Sequence, residues 1–141
     1  MPYTPNAVVA QSFSFPDFTF TMNVSGAVTM NDVGKAVSLD TTAPNTVKLA
    51  ADGDAVYGRL ESLEKGGLDG LTVGAVSRKF RSKVPVKAGL SGFNAVAVGD
   101  TVVGAGAGEV KASNSGSAKT PNIALNTVVE IGTGYAVVEQ L

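Results

Sequence analysis

The sequence predicts an all-β protein, built as a compact β-sandwich or β-barrel of short antiparallel strands, with an extended N-terminal arm and at most a short helix. Short apolar runs rich in valine recur along the chain, and glycine-containing turns separate them at intervals of about ten residues. Hydrophobic residues make up 44% and charged residues 16% of the 141 residues, a balance typical of a folded domain. Near the middle of the chain, apolar and basic residues alternate, which indicates a strand with one buried face.

Residues 1–23 are predicted to form the extended arm, and residues 24–141 a single β-rich domain. Three prolines in the arm oppose helix and interrupt sheet pairing. Four of the six phenylalanines of the chain also lie in the arm, at Phe13, Phe15, Phe18 and Phe20. Four rings so close together would form a large exposed patch without a partner. The arm therefore either packs as an edge strand on its own chain or docks on a neighbouring subunit.

Three short strands are predicted in the next part of the chain, over residues 24–30, 36–39 and 46–50. Turns rich in Asn, Asp, Gly and Pro separate them. The pair Asp52-Gly53 then turns the chain into a hairpin.

The hairpin has its first strand over residues 55–63 and its returning strand over residues 71–86, joined by a connection with three glycines. A helix over residues 55–65 is the alternative to the first strand. Apolar residues recur there at helical spacing too, after a potential capping residue, Asp54. Gly58 lies inside the segment and opposes a helix.

The returning strand carries a basic face. Its alternate positions are apolar or small, at Phe80, Ser82 and Val84. Five of the eleven Lys and Arg residues cluster around them: Arg78, Lys79, Arg81, Lys83 and Lys87. Three interpretations are open: an edge strand that charge protects against unwanted pairing, a docking face for an acidic protein surface, or a nucleic-acid contact. The last is the least supported, because the net charge is −1 and only Phe80 interleaves the basic residues with an aromatic ring.

Two further hairpins are predicted in the C-terminal part of the chain. The first joins strands over residues 101–103 and 109–112 through a glycine-rich turn at 104–108. That turn is not a phosphate-binding loop, because the Gly-x-Gly-x-x-Gly spacing fails. The second hairpin joins strands over residues 127–131 and 135–138, and this pairing ties down the C-terminus.

The composition excludes several classes of site. The chain contains no Cys and no His, which excludes thiolate and imidazole metal ligands, Ser-His-Asp or Cys-His catalysis, and disulfides. Glu61 and Glu64 come nearest to an acid–base pair, and they fit a solvated face better. The sequence therefore predicts a protein that is not an enzyme, with no catalytic residues, no metal site and no cofactor. Its apolar runs are too short for a membrane span and its N-terminus is no signal peptide, which predicts a soluble protein without a membrane partner.

Five short motifs in the second half of the chain carry a resemblance to a known family. They are Thr72-Val73-Gly74-Ala75-Val76, Val84-Pro85-Val86-Lys87-Ala88-Gly89, Val98-Gly99-Asp100-Thr101-Val102, Gly108-Glu109-Val110-Lys111-Ala112 and Gly134-Tyr135-Ala136-Val137-Val138. In composition and order, the chain from Leu71 onward resembles the small head-decoration, or cement, proteins of tailed phages, some of which are labelled recombinase-like. The short members of that family lack the phenylalanine-rich arm.

The resemblance implies a compact β-fold that binds the outside of a phage capsid as an oligomer, expected to be a homotrimer, and that stabilises the shell by clamping neighbouring subunits of the major capsid protein. It implies no active site and a virion location after synthesis in the cytoplasm of the bacterial host. The expected contacts are the four phenylalanines of the arm and the five basic residues of the returning strand, without a specific nucleic-acid partner. Another structural virion module, in the tail or baseplate, is the main alternative, and a small-ligand-binding β-barrel is the lesser one.

Overall fold

The computed structural model of the chain describes residues 12–14, 19–65, 72–120 and 126–141. Eleven β-strands lie within these residues, which confirms the predicted all-β fold class. The strands are β1 (Ser12–Ser14), β2 (Thr19–Val24), β3 (Ala36–Leu39), β4 (Thr46–Leu49), β5 (Gly58–Lys65), β6 (Thr72–Ser77), β7 (Phe80–Pro85), β8 (Val102–Gly106), β9 (Glu109–Ala112), β10 (Asn126–Gly132) and β11 (Tyr135–Gln140), with short 3-10 turns at Met30–Asp32 and Gly92–Asn94.

Five of the strands close into a barrel in the order β2-β4-β3-β5-β6. Neighbouring strands of the barrel run antiparallel, except β2 and β4, which run parallel. The other strands form a four-stranded antiparallel sheet in the order β1-β7-β11-β10 and a separate hairpin of β8 and β9. The barrel confirms one of the two architectures predicted from the sequence. Closure of the ring pairs both edges of each of its strands, which removes the edges that an open sheet would expose.

Two hydrophobic cores hold these sheets together. The barrel core consists of Met22, Val24, Val28, Val37, Val47, Leu60, Leu63 and Val76. The second core packs the four-stranded sheet against the β8–β9 hairpin, and consists of Ala36, Ala50, Val56, Phe80, Val84, Val102, Val110, Val128, Ala136 and Val138. Because the side chains of its own strands fill the barrel, its interior is a packed core and not a lumen.

The first strand of the central hairpin is confirmed as β5, and its helix alternative is wrong. β5 pairs antiparallel with both β3 and β6. Gly58 shows why the segment is a strand of this barrel. A Cβ at this position would lie 2.6 Å from the carbonyl oxygen of Ser77, so the close approach of β5 to β6 requires a residue without a side chain.

The returning strand predicted over residues 71–86 is wrong as a single strand. Its first part is β6, in the barrel, and its second part is β7, in the four-stranded sheet. The chain bends at Arg78 and Lys79. There the Ser77 hydroxyl donates to the Lys79 carbonyl (2.9 Å), and Nε2 of the Gln140 side chain donates to the Arg78 carbonyl (3.1 Å). These bonds satisfy the carbonyls of Arg78 and Lys79, which lie between the two strands at the bend. The chain can therefore pass from the barrel to the four-stranded sheet.

Two predictions near the N-terminus need correction. The strand predicted over residues 24–30 is wrong, because β2 ends at residue 24 and a 3-10 turn follows at Met30–Asp32. The Thr29 amide donates to the Asp32 carboxylate (2.8 Å), which stabilises that turn. The arm boundary predicted at residue 23 falls inside β2, which pairs with β4 and β6 as part of the barrel.

The other predicted strands are confirmed. β3 and β9 begin and end where the sequence predicts them, and β4, β10 and β11 do so within two residues. β8 extends three residues into the predicted glycine turn, ending at Gly106. The extension is possible because the register of β8 and β9 shifts between Gly104 and Gly106, as in a β-bulge.

Asp40, at the end of β3, is expected to make the stability of the protein depend on acid pH. Its carboxylate accepts hydrogen bonds from the Thr42 hydroxyl (2.6 Å), the Ser25 hydroxyl (2.7 Å) and the Thr42 amide (3.0 Å). These bonds favour the ionised form and lower the pKa of Asp40 to about 2. The folded-state pKa is therefore below the unfolded value, so the contribution of Asp40 is fully present above about pH 4 and is lost as the pH falls toward 2.

Thermal unfolding of the wild type and of Asp40→Asn, measured in steps from pH 6 down to pH 2, tests this expectation. The variant cannot change its charge, so the difference in Tm between the two proteins should stay constant near neutral pH and shrink below about pH 4. A difference that stays constant throughout the series would show that the Asp40 pKa is not lowered by folding.

Candidate contact surface

β7 presents two of the predicted contact residues on its outer face. Phe80, Ser82 and Val84 are buried on one side of the strand, while Arg81 and Lys83 alternate with them and are partly exposed or exposed. The alternation read from the sequence is confirmed over this strand. β7 pairs with β1 along one edge and with β11 along the other, so the interpretation of this segment as an edge strand is wrong.

Arg81 is paired with an acidic residue from the C-terminal strand. Its Nη1 lies 3.1 Å from Oε2 of Glu139, and the two residues are directly opposite in the β7–β11 register. Both side chains are about one-third exposed, so the pair contributes at most about 1 kcal/mol. The face that the sequence predicts as wholly basic is therefore mixed in charge. The sequence pattern could not reveal this, because Glu139 is 58 residues away along the chain.

Lys83 lies over an aromatic ring of the same sheet. Its Nζ is 4.4 Å from the centroid of the Tyr135 ring, a cation–π distance. Tyr135 is in β11, opposite Pro85 of β7. The Lys83 ammonium therefore lies over the face of the ring, and the residue as a whole is exposed at the surface.

The other three basic residues lie at the ends of β7. Arg78 is exposed at the bend before the strand, where its guanidinium carbon is 4.0 Å from the centroid of the Tyr57 ring and its Nε donates to the Tyr57 carbonyl (2.9 Å). Lys79 is half-buried beside it. Lys87 is exposed past the far end, and its backbone amide donates to the Val110 carbonyl (3.2 Å). The structure thus spreads the five basic residues along one strand and its ends.

Two of the four predicted phenylalanine contacts lie in described residues. Phe13 is in β1, which pairs with β7 of the same chain, opposite Arg81. Phe20 is in β2 and is 49% exposed, although Met22 two residues later is buried in the barrel core. Phe15 and Phe18 lie outside the described residues.

A groove of about 330 Å³ lies beside β7, and we name it the cationic groove. Three basic side chains line it, and each comes from a different part of the chain: Lys35 follows the first 3-10 turn, Arg59 is in β5 and Lys83 is in β7. The other lining residues are Asn31, Val33, Gly34, Val84, Pro85, Gly134 and Tyr135. Lys35 and Arg59 could not be found from the sequence, because a period-two pattern identifies neighbours within one strand and not between strands.

Arg59 is held in place on the wall of this groove. Its Nε donates to the Lys83 carbonyl (3.0 Å) and its Nη1 lies 2.7 Å from Oε2 of Glu61. Gly34 packs against the same guanidinium, and a Cβ there would be 3.2 Å from Nη2 of Arg59. The hydrogen bond to the Lys83 carbonyl joins barrel strand β5 to the four-stranded sheet at the wall of the groove.

Comparisons of the chain with protein-family models, with curated proteins and with solved structures found no match. In the part of the chain that the structure describes, no helix is long and apolar enough to cross a membrane.

Proposed function

We propose that this protein is a structural virion protein that binds the outside of a phage capsid and stabilises the shell by clamping neighbouring subunits of the major capsid protein. The observation that carries the proposal is the placement of β7. The strand lies inside a four-stranded sheet, with Phe80 and Val84 anchored in the core and Arg81 and Lys83 on its other face. The resemblance of the second half of the chain to phage decoration proteins agrees with this use of the strand.

A rigid β-scaffold suits such a clamp. Binding is weakened when loops and side chains must be ordered, and a contact strand that is already paired on both edges avoids much of that entropy loss. The filled barrel supports the same role, since its side chains pack against one another and leave its outer surface for contacts. This argument favours a scaffold over the small-ligand β-barrel.

Oligomerisation would multiply weak contacts. A homotrimer placed at a local three-fold axis brings three copies of the same surface to the shell, and each bound copy raises the effective concentration of the others. Binding to the closed shell and not to free capsid subunits stabilises the shell by mass action. The protein would in this way help the shell to resist heat and internal pressure.

Electron cryomicroscopy of bare phage shells mixed with the purified protein tests this proposal. The shells are those of the phage that encodes the chain. We expect density at many symmetry-equivalent sites on the outer surface and a higher melting temperature of the decorated shells. Bare shells after mixing would contradict the proposal. Attachment limited to a few copies at the tail would favour the tail or baseplate alternative.

Lys87→Glu is expected to weaken shell binding on the order of tenfold, because it reverses an exposed charge at the end of β7 in every copy of the oligomer. The weakening should diminish at high salt, since exposed charges are screened. Lys65→Glu is the matched control, because Lys65 is also exposed but lies at the end of barrel strand β5. Equal effects of the two substitutions, measured by co-sedimentation with shells, would exclude Lys87 as part of a localised contact.

A further inference from the structure

We propose that the cationic groove binds an acidic extended peptide segment of the partner protein, with one carboxylate of that segment seated between Arg59 and Lys83. The inference rests on the proposed function only for the identity of the partner as the capsid shell. The residues that line the groove and their charges define the site itself.

The charge balance of the groove favours an incoming carboxylate. Asp32 pairs with Lys35 (2.9 Å) and Glu61 pairs with Arg59 (2.7 Å), so two of the three cations have an internal partner. Lys83 is the third, and its ammonium lies over the Tyr135 ring and not beside a carboxylate of the described residues. The described residues that line the groove include no Asp and no Glu. One positive charge is thus left uncompensated at a site with three cationic side chains.

The geometry of Arg59 prepares the site before a ligand arrives. Its side chain is only 16% exposed, and its contacts to Glu61 and to the Lys83 carbonyl hold the guanidinium on the groove wall. Gly34 has φ +97° and no side chain, which leaves room for Nη2. Lys83, by contrast, has a flexible stem and an exposed ammonium, so it can close over a carboxylate that Arg59 has already oriented.

The other walls favour a peptide over a polyanion. Val33, Pro85 and the Tyr135 ring give the groove an apolar lining that suits the aliphatic part of a glutamate side chain. Asn31 adds an amide at the rim, where it can bond to a peptide backbone. A nucleic acid would need more cations than this, because the chain as a whole carries a net charge of −1.

The test is a titration of the full-length, isotope-labelled protein with an acetylated and amidated hexapeptide of alternating glutamate and glycine, followed by amide NMR shifts at low salt. We expect saturable shifts confined to Gly34, Arg59, Lys83 and Gly134, with a Kd on the order of 1 mM. The same peptide with glutamine in place of glutamate should cause no such shifts. Shifts elsewhere, or equal binding of the glutamine peptide, would overturn the proposal.

Two variants and one further probe sharpen the test. Lys83→Gln, at an exposed position, should weaken peptide binding about tenfold without affecting the fold, and Arg59→Gln should weaken it at least as much. Lys65→Gln, away from the groove, should leave binding unchanged. The further probe is inorganic phosphate, titrated under the same conditions. If phosphate saturates the shifts of the same amides at the same concentration as the peptide, the groove accepts any small anion, and this would overturn a peptide site.

The outcomes separate this inference from the proposed function. Shell decoration without peptide binding would leave the proposed function standing and remove the groove from it. Peptide binding without shell decoration would keep the acidic-segment site and reject the capsid as the partner.

Discussion

Replacing Phe80 with alanine is expected to lower the free energy of unfolding by about 3–5 kcal/mol. Phe80 is 0% exposed and is the largest fully buried side chain among the described residues. It packs in the second core at the first position of β7, with Val84 four residues later in the same core. Truncation removes the transfer free energy of the ring and leaves a cavity that the surrounding close-packed side chains cannot easily fill.

Chemical denaturation checks this value, read as a shift of the midpoint at an unchanged slope. Phe93→Ala is the matched control, because the Phe93 ring is 47% exposed in the second 3-10 turn and should cost less than about 1 kcal/mol. If the two substitutions lower the free energy of unfolding equally, Phe80 is not the centre of the second core. A large loss at Phe80 should also loosen β7, since Phe80 is the first residue of that strand.

The alternation along β7 could be predicted because it depends only on which residues of one strand face the core. Arg78 could have indicated that the returning strand predicted over residues 71–86 divides into β6 and β7. Gly74, Val76, Phe80, Ser82 and Val84 occupy even positions and are buried, whereas Arg78 interrupts this series as an exposed cation. A charged residue in the buried register is a signal that the strand ends, and the chain does bend there.

The mixed charge of the candidate contact surface could not be predicted in the same way. Glu139 neutralises Arg81 through the pairing of β7 with β11, and Tyr135 supports Lys83 through the same pairing. The cationic groove needs four segments, each separated from the next in sequence by more than twenty residues. Strand order and register decide which of these side chains meet, and a local sequence pattern carries no information about either.

The parallel pairing of β2 and β4 also differs from the prediction of antiparallel strands. Short strands joined by tight turns favour antiparallel neighbours, and the sequence analysis accordingly predicts only those. In the structure, β3 pairs with β4 and with β5, and β4 then meets β2 with Val24 opposite Val47. This pair completes the ring, so the closure of the barrel rests on a contact that its individual strands do not indicate.

Gly104→Ala is expected to destabilise the protein by about 2–6 kcal/mol. Gly104 lies in β8, where its carbonyl accepts from the Gly53 amide (2.8 Å) and its own amide donates to the Asp54 carbonyl (2.8 Å). A Cβ at this position would meet the Ala51 carbonyl oxygen, and it would lie 3.0 Å from the Ala50 Cβ. The turn after β4 would therefore have to move away from β8, which breaks both hydrogen bonds and opens the second core at Ala50.

Gly89→Ala separates this steric effect from the general cost of replacing glycine. Gly89 has φ +78° with open space around it, so its replacement should cost only the left-handed backbone conformation, about 1–2 kcal/mol. Amide hydrogen exchange gives a second, local readout. In Gly104→Ala the Gly53 amide should exchange faster than the global loss of stability explains, because its acceptor has moved. In Gly89→Ala the exchange rate of the Gly53 amide should change only as much as the global loss of stability predicts. Equal behaviour of the Gly53 amide in both variants would mean that the turn after β4 does not depend on its contact with β8.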